Sequence, residues 1–146
     1  MSGRTIEILL VEDNPADVRL AQETLKDYKL QNSLHVITDG EAALDFLYRR
    51  NAHVNAPVPD LVLLDLALPK VDGVEILAAM KRDDTLRRMP VVLLTASAMD
   101  EKMLRVFEIE ADCYVQKPLV LERLLEAIRC FPQMGLSIVK VAANSF

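Results

Sequence analysis

The sequence predicts a three-layer α/β fold built on a doubly wound, five-stranded parallel sheet. Three observations predict it. Short apolar runs recur along the chain, each bounded by turn-forming residues. A stretch of helical period follows each run. The runs carry little polar alternation, as expected of strands covered on both faces. Right-handed crossovers between such strands put helices on both sides of the sheet. A closed eight-fold barrel needs roughly 250 residues, and this chain has 146.

The elements follow in order. A strand is expected over 6–11 and a helix over 15–28, with Val18, Ala21, Leu25 and Tyr28 on one face. Asn14 suits the N-cap of that helix and Pro15 its first turn. A second strand spans 34–38. Asp39 caps a helix to about residue 50, with Ala43, Leu44 and Leu47 inward. Residues 51–59, with two prolines and two asparagines, read as a surface loop. A third strand covers 61–64. A helix over 74–82 points Val74, Leu77 and Ala78 inward, and Asp72-Gly73 forms the turn before it. A fourth strand covers 91–94 and a helix 100–110. A fifth strand covers 113–116 and a last helix 121–131, closed by Phe131-Pro132.

Composition narrows the function. Apolar residues make up 51% and charged residues 27%, so the chain folds rather than staying disordered. No apolar run approaches the ~20 residues of a membrane helix. The start, Met1-Ser-Gly-Arg, lacks the apolar core of a secretory signal. A cytoplasmic protein is expected. Net charge is −5, with no Trp and 5% aromatics, which disfavours phosphate-driven or stacking-driven binding of nucleic acid. Cys113 and Cys130 have no metal-type spacing and read as reduced core thiols.

Ligands of open α/β sheets bind outside the carboxyl ends of the strands. Glu12 and Asp13 follow the first strand, Asp65 the third, Thr95 the fourth and Lys117 the fifth. A single carboxylate at a strand end is usually solvated surface. Three carboxylates, a hydroxyl and an amine at four strand ends are more than a fold requires. Clustered carboxylates repel, which calls for a cation among them. Oxygen ligands without His or Cys favour Mg²⁺. An Asp beside such an ion and a Lys can attack phosphorus and form an aspartyl-phosphate. Thr95 and Lys117 are suited to hold the phosphoryl oxygens.

Four runs carry a resemblance. They are Ile8-Leu-Leu-Val-Glu-Asp-Asn, the stretch from Asp60 through Asp65 to Lys70-Val-Asp-Gly-Val-Glu, Val91-Val-Leu-Leu-Thr-Ala-Ser, and Tyr114-Val-Gln-Lys-Pro. Together they resemble the receiver domains of bacterial two-component response regulators, over residues 5–131. The resemblance implies a flavodoxin-like (βα)5 fold with strand order 2-1-3-4-5. It implies Asp65 as phosphoacceptor. It implies a Mg²⁺ site of Glu12, Asp13, Asp65 and the Ala67 backbone carbonyl. Thr95 becomes the switch hydroxyl, Tyr114 the switch aromatic and Lys117 the partner of the phosphoryl group. A cis Lys117–Pro118 bond is also implied. Two positions depart from the family pattern. Ala67 replaces a commonly larger or polar residue, and Glu110-Ala111 stands where Gly is common.

The implied organisation is a receiver over 1–132 and an apolar extension over 133–146, with no separate effector domain. The 51–59 loop, the Leu68-Pro-Lys segment and the tail resemble the small regulators paired with bacterial phytochrome kinases. The implied partners are a sensor histidine kinase or a phosphotransfer protein. Leu136, Ile138, Val139 and Val141 suggest a homodimer in preference to a self-docked tail. The chain then catalyses only its own phosphorylation and dephosphorylation. A Mg²⁺-dependent aspartyl-nucleophile phosphohydrolase is the alternative, but its acid/base Asp would stand at Ala67. A flavodoxin-type nucleotide binder ranks last, since no glycine-rich loop follows the first strand. His35 and His53 read as non-catalytic. Lys81 to Asp84 and Arg87-Arg88 read as a solvated face, and Met99 and Met103 as helix surface.

Overall fold

The structure is a computed structural model that describes residues 5–27, 32–68, 70–95 and 113–128. Outside the described residues lie Tyr28, the helix expected over 100–110 with Met99 and Met103, the Glu110-Ala111 turn, Cys130 and the 133–146 extension. The described elements are β1 (Ile6–Val11), α1 (Pro15–Asp27), β2 (Asn32–Ile37), α2 (Gly40–Tyr48), β3 (Leu61–Asp65), α3 (Gly73–Arg82), β4 (Val91–Thr95), β5 (Cys113–Gln116) and α4 (Leu121–Ile128). The strands form one parallel sheet in the order β2-β1-β3-β4-β5. That is the predicted topology.

Alternation along each strand builds two cores. Ile8 and Leu10 of β1, Leu61 and Leu63 of β3, Val92 and Leu94 of β4, and Cys113 and Val115 of β5 face α1 and α4. Ala21, Leu25, Leu124 and Ala127 meet them from the helices. Leu9, Val11, Val62, Leu64, Val91 and Leu93 face the other way, onto Ala43, Phe46, Leu47, Ile76, Leu77 and Met80 of α2 and α3. A fully buried Leu contributes about 1.5–3 kcal/mol, so the two layers together hold the sheet. No helix among the described residues is long and apolar enough to cross a membrane.

Several expectations are corrected in detail. β2 starts at Asn32 instead of residue 34. It is the edge strand and only half-buried, so its polar first residues gave no apolar signal. α2 ends at Tyr48, because Arg49 turns left-handed (φ 54°) and its N–H donates to Phe46 O at 3.2 Å. The 51–59 loop contains a 3-10 turn, Asn51–His53. Asp65 and Thr95 are the last residues of their strands rather than the first beyond them. α3 buries Ile76, Leu77 and Met80, whereas Val74 and Ala78 are only half-buried. The true stripe 73, 76, 77, 80 is the expected one rotated by about one residue.

The predicted caps hold. Asn14 Oδ1 accepts from Ala16 N at 2.9 Å and Asp17 N at 3.2 Å. Asp39 accepts from Ala42 N at 2.8 Å. Asp72, expected only in the turn before the helix, caps α3 as well and accepts from Glu75 N at 3.0 Å. His35 pairs with Glu7 at 2.6 Å and its ring lies beside Phe46, as does that of His53.

Candidate functional site

Strand register brings the site together. Val11 lies opposite Leu64, Asp65 opposite Leu94, and Thr95 opposite Gln116. The carboxyl ends of β1, β3, β4 and β5 are therefore level. The ladder then runs one residue further on two strands. Glu12 N–H donates to Ile37 O at 3.0 Å, and Lys117 N–H to Thr95 O at 2.8 Å. Glu12 and Lys117 are thus fixed at the backbone. The turn into α1 is fixed as well, since Asn14 N–H donates to Glu12 Oε1 at 3.1 Å.

Four of the predicted residues converge. Carboxylate oxygens of Glu12, Asp13 and Asp65 lie within 4.8 Å of one another. Glu12 is 1% exposed and Asp65 5%, while Asp13 is open to solvent. The Lys117 ammonium donates to Asp65 Oδ2 at 3.1 Å and to Asp17 Oδ2 at 3.1 Å. It also stands 2.8 Å from Glu12 Oε2. That contact is an ion pair without hydrogen-bond alignment, so the buried Oε2 keeps an unfilled acceptor position. Such an oxygen, on a residue grouped with two other carboxylates, fits a hard divalent cation.

The electrostatics follow from the same contacts. Burial pushes Glu12 up from 4.5 to about 7; Lys117 opposes this and Asp65 adds to it. For Lys117, burial works against the ammonium, but the carboxylates of Glu12, Asp17 and Asp65 outweigh it and hold its pKa above the ordinary lysine value.

The other predicted residues make different contacts. Ala67 is exposed, and its N–H reaches Asp65 Oδ1 at 3.3 Å. Thr95 is fully buried, and its hydroxyl donates to Val115 O at 3.5 Å instead of reaching an acid. Tyr114 packs against the α2–α3 core. The Lys117–Pro118 bond is cis, as the resemblance implied. Asp17 was missed. Its signal was its place in the first turn of the helix that leaves the acidic pair, one turn after the Asn14 cap.

Residues 8–129 match the response regulator receiver domain. The chain belongs to this family. Response regulator Rcp1 of Synechocystis sp. is 40% identical over 136 residues, covering 93% of this chain and 92% of its own. The solved Mn²⁺-bound form of Rcp1 superposes with a TM-score of 0.72, at 40% identity and 89% coverage of each chain. The bacteriophytochrome response regulator AtBRR gives a TM-score of 0.83 at 40% identity, covering 88% of this chain and 94% of its own. The phosphorylated cyanobacterial phytochrome response regulator RcpA gives 0.75 at 38%, covering 92% and 96%. Receiver domains are phosphorylation-dependent signalling switches that work with histidine kinases and bind a divalent metal. The resemblance to phytochrome-linked regulators holds.

Proposed function

We propose that this receiver accepts a phosphoryl group on Asp65 from a phosphohistidine of a sensor kinase, in phytochrome-linked signalling like that of AtBRR and RcpA. The observation that supports it best is the Lys117 ammonium, 3.1 Å from Asp65 Oδ2 at the level strand ends. In the transfer, an Asp65 carboxylate oxygen forms the new bond to phosphorus. The bond from phosphorus to the donor imidazole breaks, and its electron pair stays on the nitrogen. Lys117 holds a phosphoryl oxygen as charge develops there. Thr95 does the same once its hydroxyl turns from Val115 O, and Tyr114 follows that turn as the switch aromatic.

Glu12, Asp13 and Asp65, with the Ala67 carbonyl, would hold Mg²⁺, which when bound neutralises charge on the phosphoryl oxygens. Water later attacks the same phosphorus. The bond from phosphorus to the Asp65 oxygen breaks, and its electron pair restores the carboxylate. Phosphate leaves carrying the water oxygen, while the water's proton passes to phosphate or solvent. The chain thus acts only on its own acyl phosphate, as a switch rather than an enzyme with a separate substrate. We also place it in the cytoplasm, as a receiver over 1–132 with an extension over 133–146 that pairs two copies.

The test uses Mg²⁺ and acetyl phosphate. One phosphoryl group per chain is expected by intact mass, and borohydride trapping should mark residue 65. A label elsewhere overturns the assignment. The metal site gives a second prediction. Mg²⁺ binds only the folded chain, so at a hundredfold excess over Kd it should stabilise by about 2.7 kcal/mol and raise Tm. In Asp13→Ala the Tm response should be nearly flat. An undiminished response would place the cation elsewhere.

A further inference from the structure

We infer that Asp17 is a positioning residue for phosphoryl transfer, the acceptor that keeps the Lys117 ammonium aimed at Asp65 throughout the reaction. The inference rests on Asp65 as phosphoacceptor. An ammonium has three donors and no preferred direction of its own. Its aim is set by the acceptors around it. Here two hydrogen bonds are directed, one to Asp65 Oδ2 and one to Asp17 Oδ2, each 3.1 Å. The Glu12 contact is close but not aligned.

The other two acids change during the reaction. Asp65 becomes an acyl phosphate, and its negative charge moves outward to the phosphoryl oxygens. Glu12 belongs with Asp13 and Asp65 to the acidic group suited to a cation. Asp17 lies outside that group and keeps its carboxylate free for Lys117. Its own position is firm. It sits in the first turn of α1, with its N–H on the Asn14 cap at 3.2 Å. A second bond joins the same two parts of the chain, since Thr24 Oγ1 donates to Leu119 O at 3.2 Å. α1 thus grips the segment that carries Lys117 at two points. An acid in a first helical turn also favours the helix dipole. That bland role predicts a small stability loss and no effect on transfer, so the two roles differ in what they predict.

The experiment uses the full chain as Asp17→Asn and Asp17→Ala, each alone and combined with Lys117→Ala. Beryllofluoride, a phosphoryl mimic, is titrated in the presence of Mg²⁺ by ¹⁹F NMR, and acetyl phosphate gives the maximal phosphorylation rate. One charge-assisted bond to a partly exposed acid is worth about tenfold. Both single variants should bind beryllofluoride about tenfold more weakly and phosphorylate about tenfold more slowly. Mg²⁺ affinity, by calorimetry, should change less than about threefold. With Lys117→Ala already present, Asp17→Ala should slow phosphorylation no further. Wild-type rate and beryllofluoride affinity in the single variants would overturn the inference, as would an equal loss in the Lys117→Ala background. Phosphorylation of Asp65→Asn at the wild-type rate would instead overturn the phosphoacceptor reading on which the inference rests.

Discussion

Asp65→Asn should take up no phosphoryl group from kinase or acetyl phosphate, while the fold stays intact. The amide is nearly isosteric with the carboxylate but carries no charge and is a poor nucleophile. Its carbonyl oxygen still accepts from Lys117, which also retains Asp17 at 3.1 Å and Glu12 at 2.8 Å. No buried cation is orphaned, so the several kcal/mol cost of breaking a buried ion pair does not arise. The metal-free variant should also respond differently to pH. In the wild type, Glu12 rises from 4.5 to about 7, mainly by burial, with Asp65 adding to the shift. A raised folded pKa means the folded chain holds this proton more tightly than the unfolded chain. Its stabilising effect is complete below about pH 4.5 and is lost as pH rises through about 7. Removing the Asp65 charge should bring Glu12 down and narrow that window. Circular-dichroism melts in chelator from pH 4 to 8, beside phosphorylation assays, check both parts. A variant that phosphorylates normally, or whose pH window matches the wild type, contradicts this expectation.

Most of the site is legible in the sequence because strand ends are the most predictable points of a parallel sheet. Glu12, Asp65 and Thr95 each close an apolar run, and Lys117 follows the fifth by one residue, so finding the runs finds the residues. Helix faces are less legible. In α3 the sequence VEILAAM is apolar over more than one face, and only packing against β1, β3 and β4 selects Ile76, Leu77 and Met80. Phe46 carries no signal of its own within an apolar stretch, although it anchors the α2 side of the core and touches both histidine rings. Asp17 is illegible for a different reason. It lies 100 residues from Lys117, and a first-turn acid already has an adequate local explanation. The hydroxyl of Thr95 is placed correctly by its strand but its direction is not, since its acceptor is the Val115 carbonyl of the neighbouring strand.

Gly73→Ala should damage stability and transfer together, because one methyl group links the two. Gly73 opens α3, and its N–H donates to Leu66 O at 2.9 Å. A Cβ at this position would run into Asp65 O and stand 2.6 Å from Leu66 Cα. Both obstacles are backbone, so no side chain can swing aside. Either α3 withdraws from the sheet or the end of β3 shifts. Overpacking of this kind costs about 1–3 kcal/mol, or roughly 3–12 °C in Tm for a domain of this size. A shift at the end of β3 also moves the Asp65 carboxylate relative to Lys117, where misplacement by an ångström costs ~100-fold in rate. Gly40→Ala is the control. Its Cβ would run into Val71 O, a clash at least as severe but beside the α2 N-terminus rather than the β3 end. Both variants should lose stability, and Gly73→Ala alone should lose ten- to a hundredfold in maximal phosphorylation rate when assayed well below its Tm. Equal rates in the two variants would show that α3 yields and the β3 end stays where it is.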